Sequence, residues 1–282
     1  MKLPILLAAS LLTAGPAAAQ ALHAPSNVIL GSAVKAVPMA EWEVEQTGAA
    51  EQTGARILIA AGDEELKRAP ATASRYDSTT FKHPSGTIRV LAFKKDQGGV
   101  LHQITSETVI YVLKGSAEVG VVGVPTALGA GDVVSLPSGV LRSKKGAAED
   151  TTVIAFTVGH TDKAAPAAVI RAKDTPEQAI AAGPKAGTDT AKVAVRRYNF
   201  PGNSVRVASV QGPGKTNVTT PDTDVLLYLT SGRARVTVGT ETQEVKAGDT
   251  VREAAGMAMF WDVQENMSFV ATNAPAAAPK KK

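Results

Sequence analysis

YVLKGSAEVGVVG at residues 111–123 and YLTSGRARVTVGT at residues 228–240 are one pattern written twice, 117 positions apart. Adding 117 carries Tyr111 onto Tyr228, Gly115 onto Gly232, Ala117 onto Ala234, Val119 onto Val236 and Val121 onto Val238. The same step takes Ala130-Gly131-Asp132 to Ala247-Gly248-Asp249, Val134 to Val251 and Gly139 to Gly256. Upstream it takes Pro84 to Pro201 and Arg89-Val90 to Arg206-Val207. Turn formers and apolar positions dominate the match, so the repeat preserves a fold and need not preserve a chemistry.

Around this pair, runs rich in Val, Ile and Thr at 109–113, 117–121, 132–136 and 152–158 are broken by Gly or Pro, and they recur at 225–229, 234–238, 249–253 and 267–271. Short strands at such spacing predict an all-β chain with one antiparallel sandwich or barrel per half. We place the first barrel at 80–160 and the second at 193–273. The linker, 161–192, is rich in Ala, Pro and Lys and holds one helix signal, with Thr175 as N-cap, Pro176 in the first turn and Gly183-Pro184 as the stop. Asp63-Glu64-Glu65-Leu66-Lys67 ahead of Pro70 predicts a second short helix. Residues 22–79 form an N-terminal extension; its part 22–55, with Trp42, is expected to have no counterpart in the second copy and to add edge strands to one of the barrels.

The first 21 residues combine Lys2, an apolar stretch and an A-x-A pattern at Ala17, Ala19 and Ala21. They are read as a secretory signal peptide cleaved after Ala19 or Ala21, which places the mature protein in the periplasm or outside the cell. No other stretch is apolar for the 18 or so residues a membrane span needs. With no cysteine, the chain has no disulfide, thiolate metal site or thiol nucleophile. Lys and Arg number 30 against 26 Asp and Glu, but Lys2 and Lys280, Lys281 and Lys282 account for the excess. No basic face is implied, and nucleic acid is not an expected partner. The tail, 274–282, reads as disordered.

The pattern E-x-x-x-Y-V-L-x-G-x-A-x-V at 107–119, followed by G-D-x-x-x-x-P-x-G at 131–139, resembles the cupin superfamily. With Tyr228, Gly232, Ala234, Val236, Gly248, Asp249 and Gly256 kept in the second copy, the chain is similar to a bicupin. The resemblance implies two tandem jelly-roll β-barrels with a short helix in the linker. It covers roughly 80–158 and 197–272.

Metal-binding cupins hold their ion with three His and one Glu, and the resemblance maps those places onto His102, Ile104, Thr108 and Arg142. A one-residue slip would instead pair His102 with Glu107, at the cost of a strand bulge, because neighbours on a strand face opposite ways. His83 and His160 flank the first barrel and could complete a His-rich set around zinc, iron or manganese; surface or hydrogen-bonded histidines are the alternative. In the second copy the same places hold Thr219, Pro221, Val225 and Met259, none a nitrogen ligand. That barrel is expected to be metal-free.

Arg142, if it points inward, puts a permanent cation where the family holds a metal, suited to a carboxylate, phosphate or enolate oxygen; a solvated loop over 142–145 is the alternative. Tyr111, Tyr228, Met259 and Trp261 are candidates for a ligand-binding wall, with barrel filling as the alternative. Three functions follow. The first is an exported bicupin that binds a small organic or carbohydrate-like ligand without the usual metal. The second is an enzyme using His102 and Glu107, with a metal as a dioxygenase, isomerase or lyase, or without one as a hydrolase. The third is a structural or assembly bicupin, for which a homo-oligomer is expected.

Overall fold

The structure is a computed structural model that describes residues 26–44, 56–103, 106–121, 124–139, 141–147, 150–159, 166–180 and 190–274. The expected signal peptide, His160 and all but the first residue of the tail lie outside them. In chain order, β1 (Val28–Ile29) leads through a 3-10 turn at Gly31–Ala33 to β2 (Val37–Val44), β3 (Arg56–Ala61) and helix α1 (Asp63–Leu66). Barrel 1 follows as β4 (Ser74–His83), β5 (Gly86–Phe93), β6 (Gly98–Gln103), β7 (Thr108–Lys114), β8 (Ser116–Val121), β9 (Val124–Gly129), β10 (Val133–Leu136), β11 (Leu141–Gly146) and β12 (Thr151–Val158). The linker supplies β13 (Ala168–Ile170), a 3-10 turn at Ala172–Asp174 and β14 (Gln178–Ile180). Barrel 2 is β15 (Lys192–Phe200), β16 (Asn203–Gln211), β17 (Gly214–Lys215), β18 (Asp224–Ser231), β19 (Arg233–Val238), β20 (Glu241–Lys246), β21 (Thr250–Glu253), β22 (Met259–Val263) and β23 (Met267–Ala274).

The step of 117 survives in three dimensions. Tyr111 pairs with Val133 as Tyr228 pairs with Thr250, and Ala117 pairs with Leu128 as Ala234 pairs with Val245. Gly115 and Gly232, at φ 75° and 79°, make the equivalent hairpin turns, where a Cβ would be strained. Only after β11 does the step fall to 116: Ile154 pairs with Tyr111, and Val270 with Tyr228.

Each barrel is a large sheet facing a four-stranded one. The large sheets run β13-β10-β7-β12-β5-β4-β2-β3 and β1-β21-β18-β23-β16-β15-β14; the small ones run β6-β11-β8-β9 and β17-β22-β19-β20. The N-terminal extension therefore serves both barrels rather than one: β1 closes an edge of barrel 2, whereas β2 and β3 extend barrel 1. It also has a counterpart. Val28 faces Val251 on β21 as Val169 faces Val134 on β10, and Val37 faces Ser78 on β4 as Gln178 faces Val195 on β15. Residues 28–39 and 169–180 are thus two copies of one strap, each running from the edge of one barrel to the opposite edge of the other. Straps at both edges cover strands that would otherwise present unpaired backbone groups.

Two local expectations divide. Helix α1 forms where the acidic run before Pro70 predicted it. The linker's helical turn lies before Thr175 instead of after it, and Gln178–Ile180 is a strand, because its backbone pairs with Val193–Val195 on the edge of barrel 2. Ladder bonds along a sheet edge outweigh a capping signal of about 1 kcal/mol.

Alternation sends each strand's residues to two destinations. From β7, Ile110 and Val112 fill barrel 1 with Leu91, Phe93, Val134, Leu136, Val153 and Ala155. Val109 and Tyr111 face the other way and pack with Phe81, Ile88, Ile154 and Phe156 against Tyr198, Phe200, Val205, Leu226 and Val270 of barrel 2. The large sheets meet back to back. Barrel 2 is filled by Leu227, Leu229, Val236, Val251, Met259, Trp261 and their neighbours.

Candidate functional site

His102 and Arg142 face each other across the β6–β11 ladder, and Thr219 and Met259, each 117 residues later, face each other in barrel 2 through two 2.8 Å backbone hydrogen bonds. The stretch 142–145 is strand rather than loop. Met259, at the position of Arg142, is buried in the barrel 2 core. These pairs mark the same end of each barrel.

On the facing sheet of barrel 1, the interior row at this end runs Leu136, Thr108, Thr157, Thr87 and Lys82, each opposite the next across the β10–β7–β12–β5–β4 ladders. Thr108, at the place of the cupin Glu, is buried with its hydroxyl 3.4 Å from that of Thr157. One row deeper, Arg89 lies between Thr80 and Ala155 and is exposed, while its charge is felt by Tyr76 inside the barrel. Threonine hydroxyls and the cations of Lys82 and Arg89 share this face of the sheet. The row carries no carboxylate; the interior acid, Glu41, sits toward the other end, where its Oε1 accepts the Tyr76 hydroxyl. Burial, then the charge of Glu41, pushes the Tyr76 phenol far above its usual range.

Glu107 is not on this row. Its carboxylate lies at the junction of the barrels, accepting from Asn203 Nδ2 at 3.4 Å and Ser135 Oγ at 3.5 Å. The face that carries Val109 and Tyr111 is directed at barrel 2, so the slipped register that would bring Glu107 to His102 inside barrel 1 is not adopted. Asp224, its equivalent in barrel 2, is held by Arg252 Nε at 2.7 Å and the Ala255 amide at 2.8 Å. Tyr111 and Tyr228 belong to the same junction, Tyr228 edge-on to Phe81 with centroids 6.1 Å apart. Burial raises both phenols. His83 lies there too, with Nε2 3.0 Å from Thr250 Oγ1. Burial, then the nearby charge of Arg252, lowers its pKa to about 4. Met259 and Trp261 are buried core, Trp261 stacked on Phe269 at 5.8 Å.

The donor set at the cupin metal positions does not fit a three-His, one-Glu site. In the sequence Ile104 and Arg142 occupy places where the resemblance calls for His, and Thr108, buried on the interior face, occupies that of the Glu. Among the described residues no three of His, Asp or Glu gather to hold a metal ion. Sequence reasoning missed this polar row: Arg89 belongs to the repeat, but Thr157, Thr87 and Lys82 join Thr108 only through the register of neighbouring strands, which the sequence does not give.

Residues 202–268 match the EutQ-like cupin domain model. That segment of barrel 2 is a cupin domain, and barrel 1 repeats its fold. No curated protein sequence is similar to it. Among solved structures, this cupin is similar to AerE from Microcystis aeruginosa (TM-score 0.61, 9% identity, 70% of this chain and 91% of that one). It is also similar to a mutant oxalate decarboxylase OxdC from Bacillus subtilis (0.55, 16%, 72% and 74%) and to Ylba from E. coli (0.55, 16%, 73% and 85%). At such identity the likeness carries the fold alone. The Mn(II) centres described for the Bacillus enzyme are that protein's own. No helix among the described residues of this cupin is long and apolar enough to cross a membrane.

Proposed function

We propose that this cupin is an exported bicupin that binds a small organic ligand bearing an anionic group, such as a sugar acid, at the mouth of barrel 1 and without the usual cupin metal. The observation that carries the reading is the row of Thr108, Thr157, Thr87 and Lys82 above Arg89, at the end where His102 and Arg142 oppose each other. Hydroxyls donate to and accept from a polyol, and guanidinium groups bind carboxylate or phosphate by paired N–H donors. A metal would need carboxylate or imidazole where this barrel has threonine and arginine.

The test is a thermal-shift screen of the purified mature chain with sugar acids, sugar phosphates and the parent neutral sugars, alongside elemental analysis. Stabilisation by an acidic but not the neutral form, in metal-free protein, is the expected result. Arg142→Met should weaken binding tenfold or more without lowering the melting temperature. Stoichiometric transition metal in the purified protein, or equal response to neutral sugars, overturns the reading.

A further inference from the structure

Barrel 2 carries charges at its own mouth that the fold does not require. The row equivalent to that of barrel 1 runs Glu253, Val225, Asn273 and Ser204, and below it Arg206 lies directly opposite Arg197. In barrel 1 the positions of Glu253 and Arg197 hold Leu136 and Thr80, and the strands are the same. Like charges opposed across a ladder destabilise it, and although Arg197 is exposed, Arg206 is partly withdrawn from water. Neither arginine has a carboxylate within 4.0 Å among the described residues.

The buried atoms say what is missing. Arg206 donates through Nη2 to Asn273 Oδ1 at 3.0 Å, but its Nε is sealed from solvent with no acceptor. Glu253 is 8% exposed, points to the same interior and makes no hydrogen bond to a described residue. Burial raises its pKa to about 7 against the pull of Arg206. Two strands, β18 and β23, separate Glu253 from Arg206, a backbone span of about 14 Å that two extended side chains nearly close.

We propose that the mouth of barrel 2 is a second binding site, independent of that in barrel 1, for a small hydroxycarboxylate. Its carboxylate sits on Arg206 and Arg197, and its hydroxyl donates to Glu253. Charge balance favours this class: the guanidinium groups of partly buried Arg206 and exposed Arg197, one protein carboxylate and one ligand carboxylate sum to zero, and the ligand carboxylate supplies the acceptor that Arg206 Nε lacks.

The experiment is calorimetric titration of the mature chain with 3-hydroxybutyrate, with butyrate and 3-aminobutyrate as comparisons. Saturable binding of 3-hydroxybutyrate, at least tenfold tighter than butyrate, is expected. Arg206→Met should weaken it tenfold or more while the melting temperature holds or rises, since an unpaired buried charge has been removed. Glu253→Gln should narrow the preference for 3-hydroxybutyrate over butyrate. Absence of saturable binding, affinity unchanged in Arg206→Met, or tighter binding of 3-aminobutyrate overturns the proposal.

Discussion

Asp249 accepts the backbone N–H of Gly31 at 2.7 Å, and Asp132 accepts that of Ala172 at 2.9 Å, so the Gly-Asp turn of each barrel is the anchor of a strap. The aspartate also caps its own turn, Asp132 through the Gly129 amide at 2.9 Å and Asp249 through the Lys246 amide at 2.8 Å. For Asp132, burial pushes the pKa up, but Ala172, Arg171 and Gly129 outweigh it and hold the carboxyl below its usual value. The Asp of this motif is thus structural in both copies.

Loss of the anchor should unfasten a strap. Gly31 passes so close to barrel 2 that a Cβ would lie 2.4 Å from the Gly248 carbonyl oxygen, against rigid backbone. Gly31→Ala and Asp249→Ala should each cost about 2–4 kcal/mol in denaturant unfolding, by overpacking and by loss of charge-assisted hydrogen bonds respectively. Hydrogen exchange should rise first along β1 and β21; protection lost instead along β10 and β13 would contradict the assignment of this strap to barrel 2.

Strand positions were legible because the two copies share turn residues at a constant step. The straps were not, because Val28-Ile29 and Val169-Ile170 are almost all that 28–39 and 169–180 have in common; a second step, of 141, becomes visible only once both are seen paired to equivalent strands. Glu107 illustrates the same limit at the site. Sequence left it and Thr108 as rivals for the interior, and what decides between them is the apolar back of β7, which barrel 2 covers. A barrel read alone does not say that its outer face is buried.

Across the junction, the Tyr198 hydroxyl donates to the Gly131 carbonyl at 2.7 Å, joining the first strand of barrel 2 to the strap-anchoring turn of barrel 1. Barrel 1 has Phe81 at that position, so the ring alone suffices for packing. Tyr198→Phe should cost about 0.5–1.5 kcal/mol, the net worth of one hydrogen bond, and leave ligand binding unchanged. An effect above roughly 3 kcal/mol in chemical denaturation would mean that the hydroxyl does more than tie two backbones.

His83 and Glu253 should pull stability in opposite directions over one pH range. His83 titrates near 4 in the folded chain and near 6.5 unfolded, so its contribution is present above 6.5 and is lost as pH falls toward 4. Glu253, raised from 4.5 to about 7, does the reverse: its contribution is present below 4.5 and is lost as pH rises through 7. Each is on the order of 3 kcal/mol, and between 4.5 and 6.5 they offset. The wild type should therefore be nearly flat there, His83→Phe should lose stability with rising pH, and Glu253→Gln with falling pH. Parallel profiles for the three proteins, measured by urea unfolding at stepped pH, would show that neither shift exists.

The assignment of the cupin metal positions can be tested by rebuilding them. If His102 and Arg142 hold two of the four places, as their register implies, and Thr108 rather than Glu107 holds the carboxylate place, then Ile104→His, Thr108→Glu and Arg142→His together restore three His and one Glu. Thr108 is buried on the interior face, so the new carboxylate would be costly without an ion and strongly favoured with one. The triple variant should take up one equivalent of zinc or manganese and gain melting temperature on metal addition, whereas a variant with Ile104→His and Arg142→His but Thr108 retained should bind far more weakly. Glu107 is present in both and should make no difference. Equal metal affinity in the two variants would return the carboxylate role to Glu107 and with it the slipped register.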